Sequence, residues 1–125
     1  MKNILIVEDD LGFVFWLGSA LVAAGYQPWP ACSASDATKL IEKAGVRIDL
    51  LIADPSTPGI SKLVGTLRRS KVHLKVIALG AESKTKLTGI NAWHSKPGPM
   101  QEPAEQQQEW LEAVKDVFIG HERAA

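Results

Sequence analysis

The chain has 125 residues, 14 of them basic and 14 acidic, so its formal net charge at pH 7 is zero, and its pI lies near 6.8. This length suits one domain with one core, and the lack of net positive charge argues against a nucleic-acid partner. The single cysteine, Cys32, excludes an internal disulfide and a multi-cysteine zinc site, and it fits a reducing compartment.

The N-terminal segment has no signal-peptide pattern. Residues 2–7 run directly into acidic residues and not into a small-residue cleavage site. Residues 11–29 hold no charged side chain, but several glycines and Pro28 interrupt them, whereas a membrane span needs about 20 predominantly apolar residues. We therefore expect a cytoplasmic protein without a membrane span.

Apolar runs and segments of helical length alternate along the chain. They predict strands over residues 2–7, 26–32, 48–53, 74–79 and 90–95, and helices over residues 11–24, 35–44, 60–70 and 103–119. Gly25 and Gly120 are expected to end the first and last helices, and Pro103 suits a first helical turn. Pro28 and Pro30 cannot donate to a strand ladder, so we expect the second strand at an edge of the sheet.

This alternation predicts an α/β fold with a parallel sheet, because nearly all crossovers between parallel strands are right-handed. We expect the flavodoxin-like doubly wound architecture, with five strands in the order 2-1-3-4-5 and helices on both faces. Residues 80–89 are mostly polar, so the helix between the fourth and fifth strands is expected to be short or missing. The ends of the first and third strands then lie side by side at the switch point.

Carboxylates follow both of those strands. Glu8 and Asp9 follow the first strand and Asp54 follows the third, so we expect the three side chains in one pocket. Their mutual repulsion calls for a cation, and Mg²⁺ suits a set of oxygen ligands that includes the Ser56 carbonyl. Lys96, at the end of the fifth strand, is expected on the other side of Asp54. An aspartate between a metal ion and a lysine is arranged to attack phosphorus.

A family resemblance rests on three groups of residues. They are Ile4 to Asp10 (ILIVEDD), Asp49 to Asp54 with Pro58 and Gly59, and Lys96 with Pro97. In this order the chain resembles response-regulator receiver domains of two-component signalling over essentially its whole length.

The resemblance implies that Asp54 accepts a phosphoryl group from a sensor histidine kinase or phosphotransfer protein, that Glu8 and Asp9 bind Mg²⁺, and that Lys96 contacts the phosphoryl oxygens. It also places Trp93 at the aromatic switch position. We expect residues 1–125 to form a single receiver domain with no output domain. Such a domain is a phosphoacceptor and not a turnover enzyme, and it signals to a protein target in trans.

The sequence departs from the family pattern in two places. Gly80 stands where the family usually has Thr or Ser, so the hydroxyl that meets the phosphoryl group is absent. A backbone N–H of Gly80 or Ala81 is then the expected substitute, and packing becomes the expected role of Trp93. The segment between Gly80 and Lys96 is also shorter than the family norm by more than a helical turn.

The first helix suggests an interaction surface. If Phe13, Leu17, Ala20, Leu21 and Ala24 face the sheet, apolar and small residues lie on the flanks and outer side, namely Val14, Phe15, Ser19 and Val22. An apolar outer face is typical of an interaction site, so we expect a homodimer or partner contact through the first and last helices. The alternative function is therefore a degenerate receiver that acts as a phosphorylation-independent interaction module.

Overall fold

The computed structural model describes the backbone of residues 1–124 and the side chains of residues 1–120. The elements in chain order are β1 (Asn3–Val7), α1 (Leu11–Ala23), β2 (Gln27–Ala31), α2 (Ala34–Ala44), β3 (Leu50–Ala53), α3 (Ile60–Ser70), β4 (Lys75–Leu79), β5 (Ala92–His94) and α4 (Pro103–Ala124). The strands form one parallel sheet in the order β2-β1-β3-β4-β5, which confirms the predicted doubly wound fold.

The two faces of the sheet bury separate apolar clusters. Alternate side chains of the central strands point to opposite faces, as Leu5 and Ile6 of β1 do. Helices α2 and α3 cover the face with Leu5, whereas α1 and α4 cover the face with Ile6, where Trp110 of α4 is completely buried. Helices therefore lie on both faces, as predicted.

Local signals in the sequence set several element boundaries. Asp10 caps α1, because its Oδ1 accepts a hydrogen bond from the N–H of Phe13 at 3.2 Å. Gly25 follows α1 with a φ of 91°, and the N–H of Tyr26 donates to the Leu21 carbonyl, which is the Schellman pattern. Pro103 is the first residue of α4, as predicted.

Gly120 does not end the last helix, contrary to the prediction. Helix α4 continues to Ala124, and Gly120 is absent from the glycines with positive φ. A glycine ends a helix when it adopts the left-handed conformation, but a glycine that keeps a helical φ is tolerated inside a helix at a modest cost.

The edge position of β2 is confirmed, because β2 pairs only with β1 among the described strands. The N–H of Gln27 donates to the Lys2 carbonyl. In a parallel ladder the amides of alternate residues point to the same side, so the nitrogens of Pro28 and Pro30 face away from β1. The missing donors lie on the free edge, where they break no ladder bond.

No helix forms between β4 and β5 in the described chain. Three contacts hold this connection instead. Leu87 is buried in the core with 8% of its surface exposed, Arg68 of α3 donates to the Thr88 carbonyl at 2.8 Å, and Asn91 Oδ1 accepts from the Val76 N–H at 2.8 Å. We call residues 81–91 the crossover loop. Within the described residues, no helix has the length and apolar character needed to cross a membrane.

Candidate functional site

A cavity of about 590 Å³ opens at the carboxyl ends of the strands. Its walls are formed by Val7, Glu8, Asp9, Cys32, Ser33, Asp54, Thr57, Pro58, Leu79, Gly80 and Lys96. Glu8 and Asp9 follow β1 directly and Asp54 follows β3, and these two strands are neighbours in the sheet. The switch point of the topology therefore brings together the four side chains that the sequence predicted for this pocket.

The Asp54 carboxylate is exposed and partly fixed. Its Oδ1 accepts hydrogen bonds from the Ser56 N–H at 2.8 Å and from the Ser56 Oγ at 2.7 Å. Oδ2 accepts no hydrogen bond from the residues that the structure describes. One oxygen of Asp54 is thus positioned by Ser56, and the other is free to react.

Lys96 lies beside the acidic residues that follow β1. Its Nζ is 3.0 Å from Glu8 Oε2, 3.6 Å from Asp10 Oδ2 and 5.5 Å from the centre of the Phe13 ring. Burial lowers the pKa of Lys96, but the hydrogen bond and charge of Glu8 and the charge of Asp10 outweigh burial, so this pKa lies above its usual value. Lys96 is therefore a protonated cation at neutral pH, paired with Glu8 and Asp10.

The cavity lining fits a hard divalent cation. Three carboxylates and one ammonium group give the lining a net charge of −2, and oxygen is the ligand atom that Mg²⁺ prefers. Among the described residues, no three acidic, histidine or cysteine side chains are already gathered as a metal cluster. Glu8 Oε2 is paired with Lys96, so metal binding by Glu8 together with Asp9 and Asp54 would compete with that ion pair, and an exchange of partners would accompany it.

Gly80 has a backbone conformation that suits glycine, with a φ of 117°. Its N–H donates to the His94 carbonyl at 3.1 Å and so extends the ladder between β4 and β5. This bond corrects the expectation that the Gly80 amide is available to hold a phosphoryl group. Of the two amides suggested from the sequence, only that of Ala81 remains a candidate.

Trp93 and His94 point to opposite faces of the sheet, as the alternation of a strand predicts. The His94 and Trp110 rings pack edge to face, with 4.4 Å between ring centres. Burial lowers the pKa of His94, and the charge of Glu109 partly offsets that effect. Trp93 instead lines a hollow that Asp54 and Gly80 share.

That hollow was not predicted from the sequence. It has a volume of about 360 Å³ and is lined by Asp54, Pro55, Ser56, Leu79, Gly80, Ala81, Ser83, Lys84, Thr85 and Trp93. The available signal was a lysine between two hydroxyl residues in the polar segment after Gly80, but its position depends on the path of a loop. Asp54 therefore lies between two hollows, one beside Lys96 and one beside Lys84.

The predicted interaction face of α1 is largely exposed, with one correction. Phe15 and Val22 are 74% and 59% exposed, and Ser19 is exposed. Val14 is buried, with 6% exposed, because it precedes Leu17 by three residues and so shares its inward side of the helix. Between α1 and β2 lies a mainly apolar groove of about 460 Å³, which includes Phe15, Ser19 and Val22 in its lining.

No family model and no curated protein matches this chain. Solved structures do match it. The CheY-like receiver domain protein from Methanospirillum hungatei JF-1 is 22% identical with a TM-score of 0.72, over 100% of this chain and 99% of that chain. The response regulator TrrA from Thermotoga maritima is 27% identical with a TM-score of 0.64, over 94% of this chain and 99% of that chain.

The chemotaxis protein CheY4 from Vibrio cholerae is 22% identical with a TM-score of 0.70, over 94% of this chain and 98% of that chain. These similarities extend over nearly the full length of each chain. The resemblance seen in the sequence is thereby confirmed: this chain shares the fold of response-regulator receiver domains from one end to the other.

Proposed function

We propose that this chain is a receiver that accepts a phosphoryl group on Asp54 from a sensor histidine kinase or phosphotransfer protein in a Mg²⁺-dependent reaction. The observation that carries the proposal is the shared cavity of Asp54, Glu8, Asp9 and Lys96. In this proposal the domain works in the cytoplasm, performs no turnover of its own and signals by changing its contacts with another protein.

The proposed reaction is an attack by Asp54 Oδ2 on phosphorus. A new O–P bond forms while the P–N bond of a phosphohistidine breaks, and the imidazole nitrogen keeps the electron pair. Ser56 holds Oδ1 through two hydrogen bonds, so the attacking oxygen is oriented before the donor arrives. Lys96 supplies a positive charge for the oxygens of the transferred group.

The metal part of the proposal rests on the donor set. Glu8, Asp9, Asp54 and the Ser56 carbonyl are the proposed Mg²⁺ ligands. When bound, Mg²⁺ supplies positive charge that offsets the repulsion between these carboxylates and an incoming phosphoryl group. Support comes from the similar structure of TrrA, which is described as a complex with Mg²⁺ and BeF.

Phosphorylation is tested by incubating the protein with Mg²⁺ and acetyl phosphate and measuring the mass of the intact chain. We expect the wild type to gain the mass of one phosphoryl group and Asp54→Ala to gain none. Asp36→Asn removes another exposed carboxylate, at the start of α2, and is expected to behave as the wild type. If the wild type gains no mass with or without Mg²⁺, the phosphoacceptor function is wrong.

A second candidate function is supported by the exposed apolar face of α1. In this proposal the chain is a degenerate receiver that forms a homodimer through α1 and α4 independently of phosphate. Gly80 lacks the hydroxyl that the family usually has there, while Phe15 and Val22 are exposed beside the apolar groove. The relic pocket then has no signalling role.

Dimer formation through α1 is tested by static light scattering over a range of protein concentrations. We expect a dimer for the wild type and a monomer for Phe15→Glu, because a buried unpaired charge opposes association. Val72→Glu is the matched control, since Val72 is 76% exposed and lies in the turn after α3. A wild type that is monomeric at every concentration excludes the homodimer.

A further inference from the structure

The hollow that Lys84 lines differs in charge from the cavity that Lys96 lines. The first cavity has a net charge of −2, whereas Asp54 and Lys84 are the only charged side chains in the lining of the hollow and cancel each other. A phosphoryl group is anionic, so without a metal ion it meets less repulsion on the side of Lys84. The hollow therefore offers the phosphoryl oxygens a positive charge in addition to the one that Lys96 supplies in the cavity.

Lys84 also has fewer charged partners than Lys96. The Lys96 ammonium is already 3.0 Å from Glu8 and 3.6 Å from Asp10. Lys84 is exposed and forms no ion pair with any residue that the structure describes. Lys84 is therefore available to a new anion on Asp54 without the loss of an ion pair among the described residues.

Position 80 cannot simply regain a hydroxyl side chain. A φ of 117° is a conformation that side chains other than glycine rarely adopt. The hollow offers hydroxyl groups from Ser83 and Thr85 instead. Thr85 Oγ accepts a hydrogen bond from the Leu87 N–H at 3.1 Å, which leaves the hydroxyl proton of Thr85 free to be donated.

The fold fixes the part of the chain that carries these groups. The crossover loop is held by the buried side chain of Leu87 and by the hydrogen bond from Arg68 to the Thr88 carbonyl. Trp93 of β5 forms another wall of the hollow. Lys84 is therefore carried by a loop with fixed points on α3 and in the core, and it lines a hollow that Asp54 also lines.

We propose that Lys84, together with the hydroxyls of Ser83 and Thr85, binds the oxygens of the phosphoryl group on Asp54 in this hollow and replaces the hydroxyl that Gly80 lacks. The inference rests on the proposed phosphoacceptor function. In this proposal the crossover loop, which stands where a helix usually lies between β4 and β5, contacts the transferred group directly.

The test compares the initial rates at which the intact chain gains phosphoryl mass from acetyl phosphate. In that reaction an Asp54 oxygen bonds to phosphorus while the P–O bond to the acetyl group breaks, and acetate leaves with the electron pair. We expect Lys84→Ala to be slower by about tenfold, the loss of one charge-assisted contact. Lys84→Arg keeps the charge and is expected to stay within about threefold of the wild type.

Lys86→Ala is the matched control, because Lys86 is an exposed lysine of the same loop that does not line the hollow. We expect it to react at the wild-type rate, and circular dichroism verifies that all variants are folded. If the wild type is phosphorylated and Lys84→Ala reacts as fast as Lys86→Ala, this inference fails while the proposed function stands. If the wild type gains no mass at all, both fail.

Discussion

Lys96→Ala is expected to slow phosphoryl uptake by about 100-fold, the scale of losing one preorganised charge that stabilises the transition state. The same substitution is expected to strengthen Mg²⁺ binding. Glu8 now shares its charge with Lys96 at 3.0 Å, so removal of the ammonium frees a carboxylate for the metal ion. The gain in Mg²⁺ affinity is about two- to fivefold, the equivalent of an exposed ion pair.

The opposite signs of the two effects make this prediction specific. Isothermal titration calorimetry gives the Mg²⁺ affinity, and intact mass against time gives the uptake rate. Lys115→Ala, which removes an exposed lysine from α4, is the control and is expected to change neither quantity. If Lys96→Ala weakens Mg²⁺ binding, the ion pair between Glu8 and Lys96 does not compete with metal ligation by Glu8. The proposed exchange of partners is then wrong.

The fold was predictable because its signals are local and strong. The uninterrupted apolar runs of β1 and β3 match strands that are buried on both faces, and the intervening helices require parallel pairing. Once the order of the strands is known, Glu8 and Asp54 must lie at the same edge. The proximity of Glu8 and Asp54 could therefore be predicted from the topology alone, without knowledge of side-chain positions.

The partners of those residues were not predictable, because they depend on distances of a few ångströms. The sequence placed Lys96 opposite the acidic residues across Asp54, but its ammonium pairs with Glu8 and Asp10. Val14 was predicted on the flank or outer side of α1 but lies on its inward side, because a rotation of the helix by a fraction of a turn decides which flanking residues are buried. Lys84 was not predicted as a site residue, because a loop has no sequence periodicity from which the positions of its side chains follow.

The backbone conformation of Gly80 limits the effect of replacing it with a hydroxyl residue. From the sequence, Gly80 is interpreted as a departure from the receiver pattern, because it lacks the usual hydroxyl. In the structure its φ of 117° and its bond to the His94 carbonyl belong to the way β4 ends and the crossover loop begins. The glycine and the missing helix are thus parts of one local arrangement, and replacement of the side chain alone does not restore the usual site.

Gly80→Thr is therefore expected to lower the free energy of unfolding by about 1 to 3 kcal/mol, the usual range for a residue held in a sparsely populated backbone conformation. Apart from its chain neighbours, no described residue has an atom within 4 Å of the Cβ position at residue 80, so the loss comes from the backbone and not from a steric clash. Urea denaturation of the two proteins measures it. Gly80→Ala is expected to lower the free energy of unfolding by a similar amount, because alanine imposes the same backbone restriction without adding a hydroxyl.

The control for this substitution is Gly65→Ala. Gly65 lies inside α3 without a positive φ, and outside its own helix no described residue has an atom within 4 Å of its Cβ position, so alanine is expected to stabilise the protein by about 0.5 to 1 kcal/mol. A Gly80→Thr protein that is as stable as the wild type and takes up phosphate faster contradicts the prediction. That result means that the backbone at residue 80 relaxes and that one hydroxyl restores the site. An unstable variant with no gain in uptake rate instead locates the difference from the similar receiver structures in the path of the chain after β4.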